Sequence, residues 1–305
     1  MDEKNQQNNP AENIIGNNFN ESHREKEIRQ RPDRKSWFLF LVLLGSTLFT
    51  TYLAGGVLYA VSLFLILAAH EFGHYFAEVK NGVRTTLPLF IPAPPSLLLF
   101  GTFGTMPIGT FGAVILMKDA VPDRRVLMEI GAAGPIAGFI VAVPTLILGL
   151  FLSDVVSPTG ERGVAFGSSI IMILLSKIIL GVTPLSAEFN IFFHPIAYAG
   201  WVGLFITAIN LFPIGQLDGG HIIHALLGKK SFIWTKVFFV FLITLAFYWP
   251  SWGIWAMILL FFTRLKFAPL IDEELLPTKA HKRVGIASIV IFFLTFVPVP
   301  IELIG

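Results

Sequence analysis

LILAAHEFGHYFAEV, residues 65–79, sets His70, Glu71, His74 and Glu78 inside a run that is otherwise hydrocarbon. Ionisable side chains in such a run are costly, and by default they mark function rather than packing. The rest of the chain shows how apolar the setting is. Of 305 residues, 54% are hydrophobic and 14% charged, Phe occurs 30 times and the mean hydropathy is +0.71. These values lie well to the apolar side of a soluble domain, so the chain reads as an integral membrane protein. A net charge of +2 argues against nucleic acid as a partner. Without cysteine there is no disulfide framework and no thiolate site, so any metal must sit on nitrogen and oxygen ligands.

Residues 1–35 differ from the remainder of the chain: polar, rich in Asn, Gln and charge, they read as a disordered tail. They lack an apolar core followed by a small-residue cleavage site and do not read as a signal peptide. Arg29, Arg31, Arg34 and Lys35 abut the first apolar run, which by the positive-inside rule places the N-terminus in the cytoplasm of a multi-pass protein, with the cell membrane as the expected location. About 20 apolar residues make a span. Candidates are 36–54, 57–79, 126–152, 196–214, 232–249, 252–265 and 284–304. The Lys and Arg residues of alternate connections then fall on the tail's side. The expected fold is therefore an all-α polytopic membrane domain over 36–305, with about seven transmembrane helices.

Two stretches resist this count. Residues 166–181 are apolar but carry Lys177 near the middle, which costs roughly 2.5–3.5 kcal/mol at a bilayer centre; an interfacial or protein-covered helix is expected. Residues 96–117 are apolar but punctuated by Gly101, Gly104, Pro107, Gly109 and Gly112. A membrane-embedded glycine-rich hairpin is expected, facing protein or a watered cavity, where irregular backbone is tolerated.

On a helix, His70 and His74 share a face one turn apart, the spacing that suits two imidazoles on one tetrahedral zinc. Glu71 lies about 100° round from His70, placed to act as general base without taking a coordination position. The pattern is HExxH. It also occurs by chance, and a histidine in a span is often only a satisfied contact between helices; a helical setting and a third ligand separate the readings. Between Glu188 and Asp272 the chain has a single carboxylate, Asp218, in NLFPIGQLDGGHIIH. Pro213 and Gly215 break the preceding helix and Gly219 and Gly220 follow the acid, so an unwound element can aim Asp218 inward at the depth of the histidines. The alternative is a loop acid solvated at the membrane surface.

HEFGH at 70–74, NLFPIGQLDGG at 210–220 and GAAGPIAGF at 131–139 resemble the site-2 protease family, intramembrane zinc metalloproteases of regulated intramembrane proteolysis. The likeness covers about residues 50–230. It implies one Zn²⁺ per chain held by His70, His74 and Asp218, Glu71 as catalytic base, and Asn210 as a polar group near the scissile carbonyl. It also implies that the 96–117 hairpin pairs with an unwound strand of a substrate, and that the substrates are single-pass transmembrane proteins in the bilayer. The loop at 153–167 is too short for an inserted PDZ domain, which places the likeness with the PDZ-less branch.

Other ionisable groups read as structural. Glu78, one turn beyond His74, suits a contact with Lys80 or water at the helix end, with a contact supporting the metal-binding residues as the alternative, and Glu129 suits an i,i+4 pair with Arg125. His221 reads as a satisfied imidazole, with a contact to ligand or substrate as the alternative; His224 reads as structural, His194 as opening a span, and His23 and His281 as solvated. Gly131, Gly134 and Gly138 read as a close-packing face. An ion transporter would show inverted repeats and further polar spans, which are absent, and a catalytically dead homologue would have lost one of the four motif residues.

Overall fold

The computed structural model describes residues 33–93, 108–157, 163–184, 189–263 and 265–304. The expected tail therefore lies outside the described residues up to position 32. Helix α1, Arg34–Lys80, opens where Asp33 accepts from the Ser36 N–H. It contains two of the expected spans, 36–54 and 57–79, joined at Gly56 with φ 78° and ψ −176°, a conformation that glycine adopts without a Cβ penalty. The junction is a reversal. The ring of Phe90 lies 6.3 Å from that of Phe40 and 5.5 Å from that of Phe64. On a straight helix those two positions would stand about 36 Å apart.

Strands β1, Leu89–Pro92, and β2, Thr110–Val114, come next as an antiparallel pair. They form the base of the expected glycine-rich hairpin, whose tip at 94–107 lies outside the described residues. Thr50 Oγ1 donates to the Gly109 carbonyl (2.6 Å) and Tyr59 Oη to the Ile108 carbonyl (2.8 Å), tying the returning strand to both arms of α1. Arg84 Nη2 meets Asp119 Oδ1 at 2.6 Å across the hairpin's foot. Strand β3, Val121–Asp123, leads into helix α2, Arg124–Phe151, which Asp123 caps by accepting from the Arg125 and Val126 N–H groups.

The remaining elements are strands β4 (Asp154–Val156) and β5 (Gly163–Phe166), helix α3 (Ile170–Leu180), strand β6 (Asn190–Phe192), and helices α4 (Pro195–Asn210), α5 (Asp218–Leu227), α6 (Ser231–Leu245) and α7 (Ser251–Thr263). Strand β7 (Leu270–Asp272), helix α8 (Lys279–Thr295) and strand β8 (Ile301–Ile304) complete the chain. Helix α2 is central: it packs on α1, α4, α5 and α8. Small residues bring these helices together, with Gly149 of α2 against the backbone of Ala197 and Gly200 of α4 against Leu146, the close approach typical of helices in lipid. Tyr198, Trp201, Phe205 and Trp252 continue the core as a run of contacting rings.

The all-α expectation needs correction. Helices dominate, but the strands pair as β1–β2, β3–β7, β4–β6 and β5–β8. The last expected span, 284–304, ends at Thr295, because Pro298 and Pro300 cannot continue a helix, and β8 instead pairs antiparallel with β5. The 153–167 loop supplies β4 and β5. Helix α3 is 11 residues long, about 16 Å. Among the described helices, α1 and α2 are long and apolar enough to cross a membrane by themselves. Helices α4, α6, α7 and α8 have 13–17 residues each. The outer faces are hydrocarbon, as at Phe38, Phe247 and Phe261, which are 71%, 87% and 78% exposed. A surface so apolar suits lipid rather than water.

Candidate metal centre

The second arm of α1 carries His70 and His74, both buried, and turns them toward the start of α5. Their Nε2 atoms lie 3.2 Å apart. Asp218 completes the group, with Oδ2 3.2 Å from His70 Nε2 and Oδ1 3.3 Å from His74 Nε2. His74 Nδ1 lies 2.8 Å from the Ile130 carbonyl, so that nitrogen carries the proton and Nε2 keeps its lone pair turned inward.

A divalent metal fits this donor set. Two imidazole nitrogens and a carboxylate converge within 4.8 Å of one another, and lone pairs so placed repel unless a cation lies between them. Their 3.2–3.3 Å separations are close to the edge of a tetrahedron with zinc–ligand bonds near 2.1 Å, about 3.4 Å.

Local sequence explains the convergence. Helix α4 ends at Asn210 and the chain turns through Pro213 and Gly215, the latter at φ 55°, before Asp218 opens α5. A Cβ on Gly219 would strike the Leu211 carbonyl, and one on Gly220 the Gly215 carbonyl, so the paired glycines are a steric requirement of this turn. The glycine face of α2 packs as expected, and what it packs against is the histidine face. Gly134 lies against the His74 imidazole, a Cβ on Gly138 would stand 3.1 Å from His70 Nδ1, and one on Gly131 would stand 2.8 Å from His221 Cβ.

These residues border a cavity of about 140 Å³. Glu71 is buried and lines it, and Asn210 Nδ2 lies 3.3 Å from His70 Nε2, so all five expected site residues meet here. The chain from Ala113 to Met117, running out of β2, forms the facing wall. Several structural expectations fail because long-range partners outcompete local ones. Lys80 turns to Glu129 (3.0 Å), leaving Glu78 buried at the cavity with Oε2 unpartnered. Glu129 also meets Asn81 (3.1 Å) and His281 (3.2 Å), so His281 is not simply solvated, while Arg125 turns to Asp123 (3.3 Å). His221 is not a satisfied core imidazole: it lines the cavity and its Nδ1 has no partner. His224 is satisfied, 2.9 Å from Ser231 Oγ and stacked on Phe267, and His194 caps the start of α4. His23 lies outside the described residues. Gln216 is a cavity residue that the sequence reading misses, and Glu78 takes the alternative place at the site rather than the contact with Lys80, in keeping with positions 71, 74 and 78 sharing one helical face.

The sequence matches the model of peptidase family M50 over residues 58–245, more than half of the chain. It is 34% identical over 172 residues to the probable zinc metalloprotease EGY1, chloroplastic, of Arabidopsis thaliana, covering 55% of this chain and 29% of that protein. It is 30% identical over 272 residues to the probable zinc metalloprotease EGY2, chloroplastic, of Oryza sativa subsp. indica, covering 85% and 46%. A zinc metalloprotease of Methanocaldococcus jannaschii is 25% identical over 197 residues, covering 64% and 42%. The chain spans less than half the length of each of these three relatives. No solved structure matches it. The matched region takes in the HExxH helix, the glycine face and the LDGG turn together, and the chain belongs to peptidase family M50, the site-2 protease family.

Proposed function

We propose that this protein is an intramembrane zinc metalloprotease that hydrolyses peptide bonds within or beside the transmembrane helices of single-pass membrane proteins. One observation carries the reading: two histidines and an aspartate distant in sequence converge in a cavity walled by a strand, inside a body with a hydrocarbon exterior. His70, His74 and Asp218 would hold one Zn²⁺ per chain. Bound there, zinc supplies a Lewis acid that polarises a peptide carbonyl.

The chain's own groups account for the rest. A transmembrane helix hides each carbonyl in an internal hydrogen bond, so a substrate must unwind locally, and its freed backbone groups need partners where bulk water is scarce. The chain from Ala113 to Met117, which walls the cavity, would supply such partners by strand addition through backbone groups other than those of Leu116, which are bonded to Thr86. Glu71 takes a proton from the attacking water and returns it to the leaving amine nitrogen. Asn210 Nδ2 donates to the carbonyl oxygen as negative charge develops on it. The reading includes seven spans, a cytoplasmic N-terminus and residence in the cell membrane. Supporting this orientation, Lys80, Arg84, Lys118, Arg124, Arg125, Lys229 and Lys230 fall in connections on one side.

The experiment uses the full chain purified into lipid vesicles with a synthetic single-pass substrate. Cleavage should stop when a chelator strips the metal and return on adding zinc but not magnesium, because a nitrogen-rich donor set favours zinc. Undiminished cleavage by metal-free protein would contradict the proposal.

A further inference from the structure

Glu78 is 2% exposed, its Oε2 has no hydrogen-bond partner, and it lines the cavity one helical turn beyond His74. Thr85 hydrogen-bonds the carboxyl, but a carboxylate oxygen left without a partner in such a place is still costly. The nearby cations are committed elsewhere: Lys80 to Glu129 at 3.0 Å, Arg84 to Asp119 at 2.6 Å, Arg125 to Asp123 at 3.3 Å, and Arg124 through Nε to the Ala225 carbonyl at 2.9 Å. Lys118 is exposed. The side chain therefore faces the cavity ready to receive a cation that comes from outside the chain.

We propose that Glu78 forms an acidic subsite that takes a Lys or Arg side chain of the substrate, on the side of the scissile bond facing the basic end of α1. This rests on the protease reading and specifies its substrates. Val114, Ile115, Met117 and Leu217 wall the same cavity and suit the aliphatic stem of such a side chain, leaving Glu78 for its charged head. Distance sets the position. One turn of α1 is about 5.4 Å, and an extended substrate rises about 3.3 Å per residue, so the basic residue belongs one or two positions from the cleaved bond. Supply is not a difficulty either. The rule that crowds Lys80 and Arg84 at this end of α1 also crowds Lys and Arg at the same end of substrate helices.

The test is a set of single-pass substrates identical except for Lys, Gln or Glu at those positions, cleaved in vesicles by the full chain and by Glu78→Gln and Glu78→Lys. A charge-assisted contact predicts that the wild type cleaves the Lys substrate about tenfold faster in kcat/KM than the Gln substrate, with the Glu substrate slowest. Glu78→Gln should bring the Lys-to-Gln ratio close to one, and Glu78→Lys should favour the Glu substrate. Equal wild-type rates on Lys and Gln substrates overturn the subsite while leaving the protease reading in place. An unchanged preference in Glu78→Gln also overturns the subsite. Failure of the wild type to cleave any substrate in the set overturns both.

Discussion

Replacing Glu71 with glutamine should leave zinc bound and lower kcat on the order of 10³-fold. The amide keeps the size of the carboxyl and packs in the same buried place, so the fold and the three metal-binding side chains are undisturbed. What is lost is the proton acceptor for the attacking water. KM should change little, since the substrate is held by the strand wall and the Glu78 subsite rather than by Glu71. Zinc content and single-turnover cleavage on the same preparation separate the two effects. Turnover within tenfold of wild type by zinc-loaded Glu71→Gln would remove Glu71 from the chemistry.

The second large effect is expected at a residue with no side chain. Gly134 lies against the His74 imidazole so closely that an added methyl would occupy the ring's own space. The ring cannot simply swing aside, because its Nδ1 is bonded to the Ile130 carbonyl on the same helix α2. The backbones are equally constrained, since a Cβ on Gly73 would stand 2.7 Å from the Ala133 carbonyl. Gly134→Ala should therefore displace His74 and weaken zinc binding by about 100-fold, at the upper end of losses seen when a ligand's orientation is disturbed. Gly138→Ala is the internal control. Its methyl would meet His70 Nδ1 at 3.1 Å, which a shift of a few tenths of an ångström relieves, so its loss should be several-fold at most. Zinc titration of both variants, with thermal unfolding to confirm that each is folded, checks the order; equal affinities would show that the glycine face does not position the ligands.

The parts legible in the sequence are those governed by short-range geometry or by scarcity. The i,i+4 spacing puts His70 and His74 on one face, and Asp218 stands out as the sole carboxylate in a long apolar stretch. The adjacent glycines at 55 and 56 mark the division between two spans, and the structure turns the chain back there. Parts decided by distant partners are not legible. Glu129 has Arg125 four residues earlier, yet it takes Lys80, Asn81 and His281, which come from the end of α1 and the start of α8. Glu78 offers a simple local pairing with Lys80, and only the folded chain shows Lys80 drawn away. The VPVP run at 297–300 does contain a stop signal for the last helix, but the strand pairing beyond it depends on Gly163–Phe166, far back in the chain. The neighbours of His221 in sequence suggest packing, while its place at the cavity arises from the α2 face opposite it.

The central claim is that His70, His74 and Asp218 share one zinc ion. X-ray absorption at the zinc edge of the purified full chain tests it most directly. The expected result is one zinc per chain with nitrogen neighbours near 2.0–2.1 Å and carboxylate oxygen near 2.0–2.2 Å, and loss of the metal in His70→Ala, His74→Ala and Asp218→Ala. Zinc retained in those variants with an unchanged spectrum would place the metal elsewhere and contradict the claim.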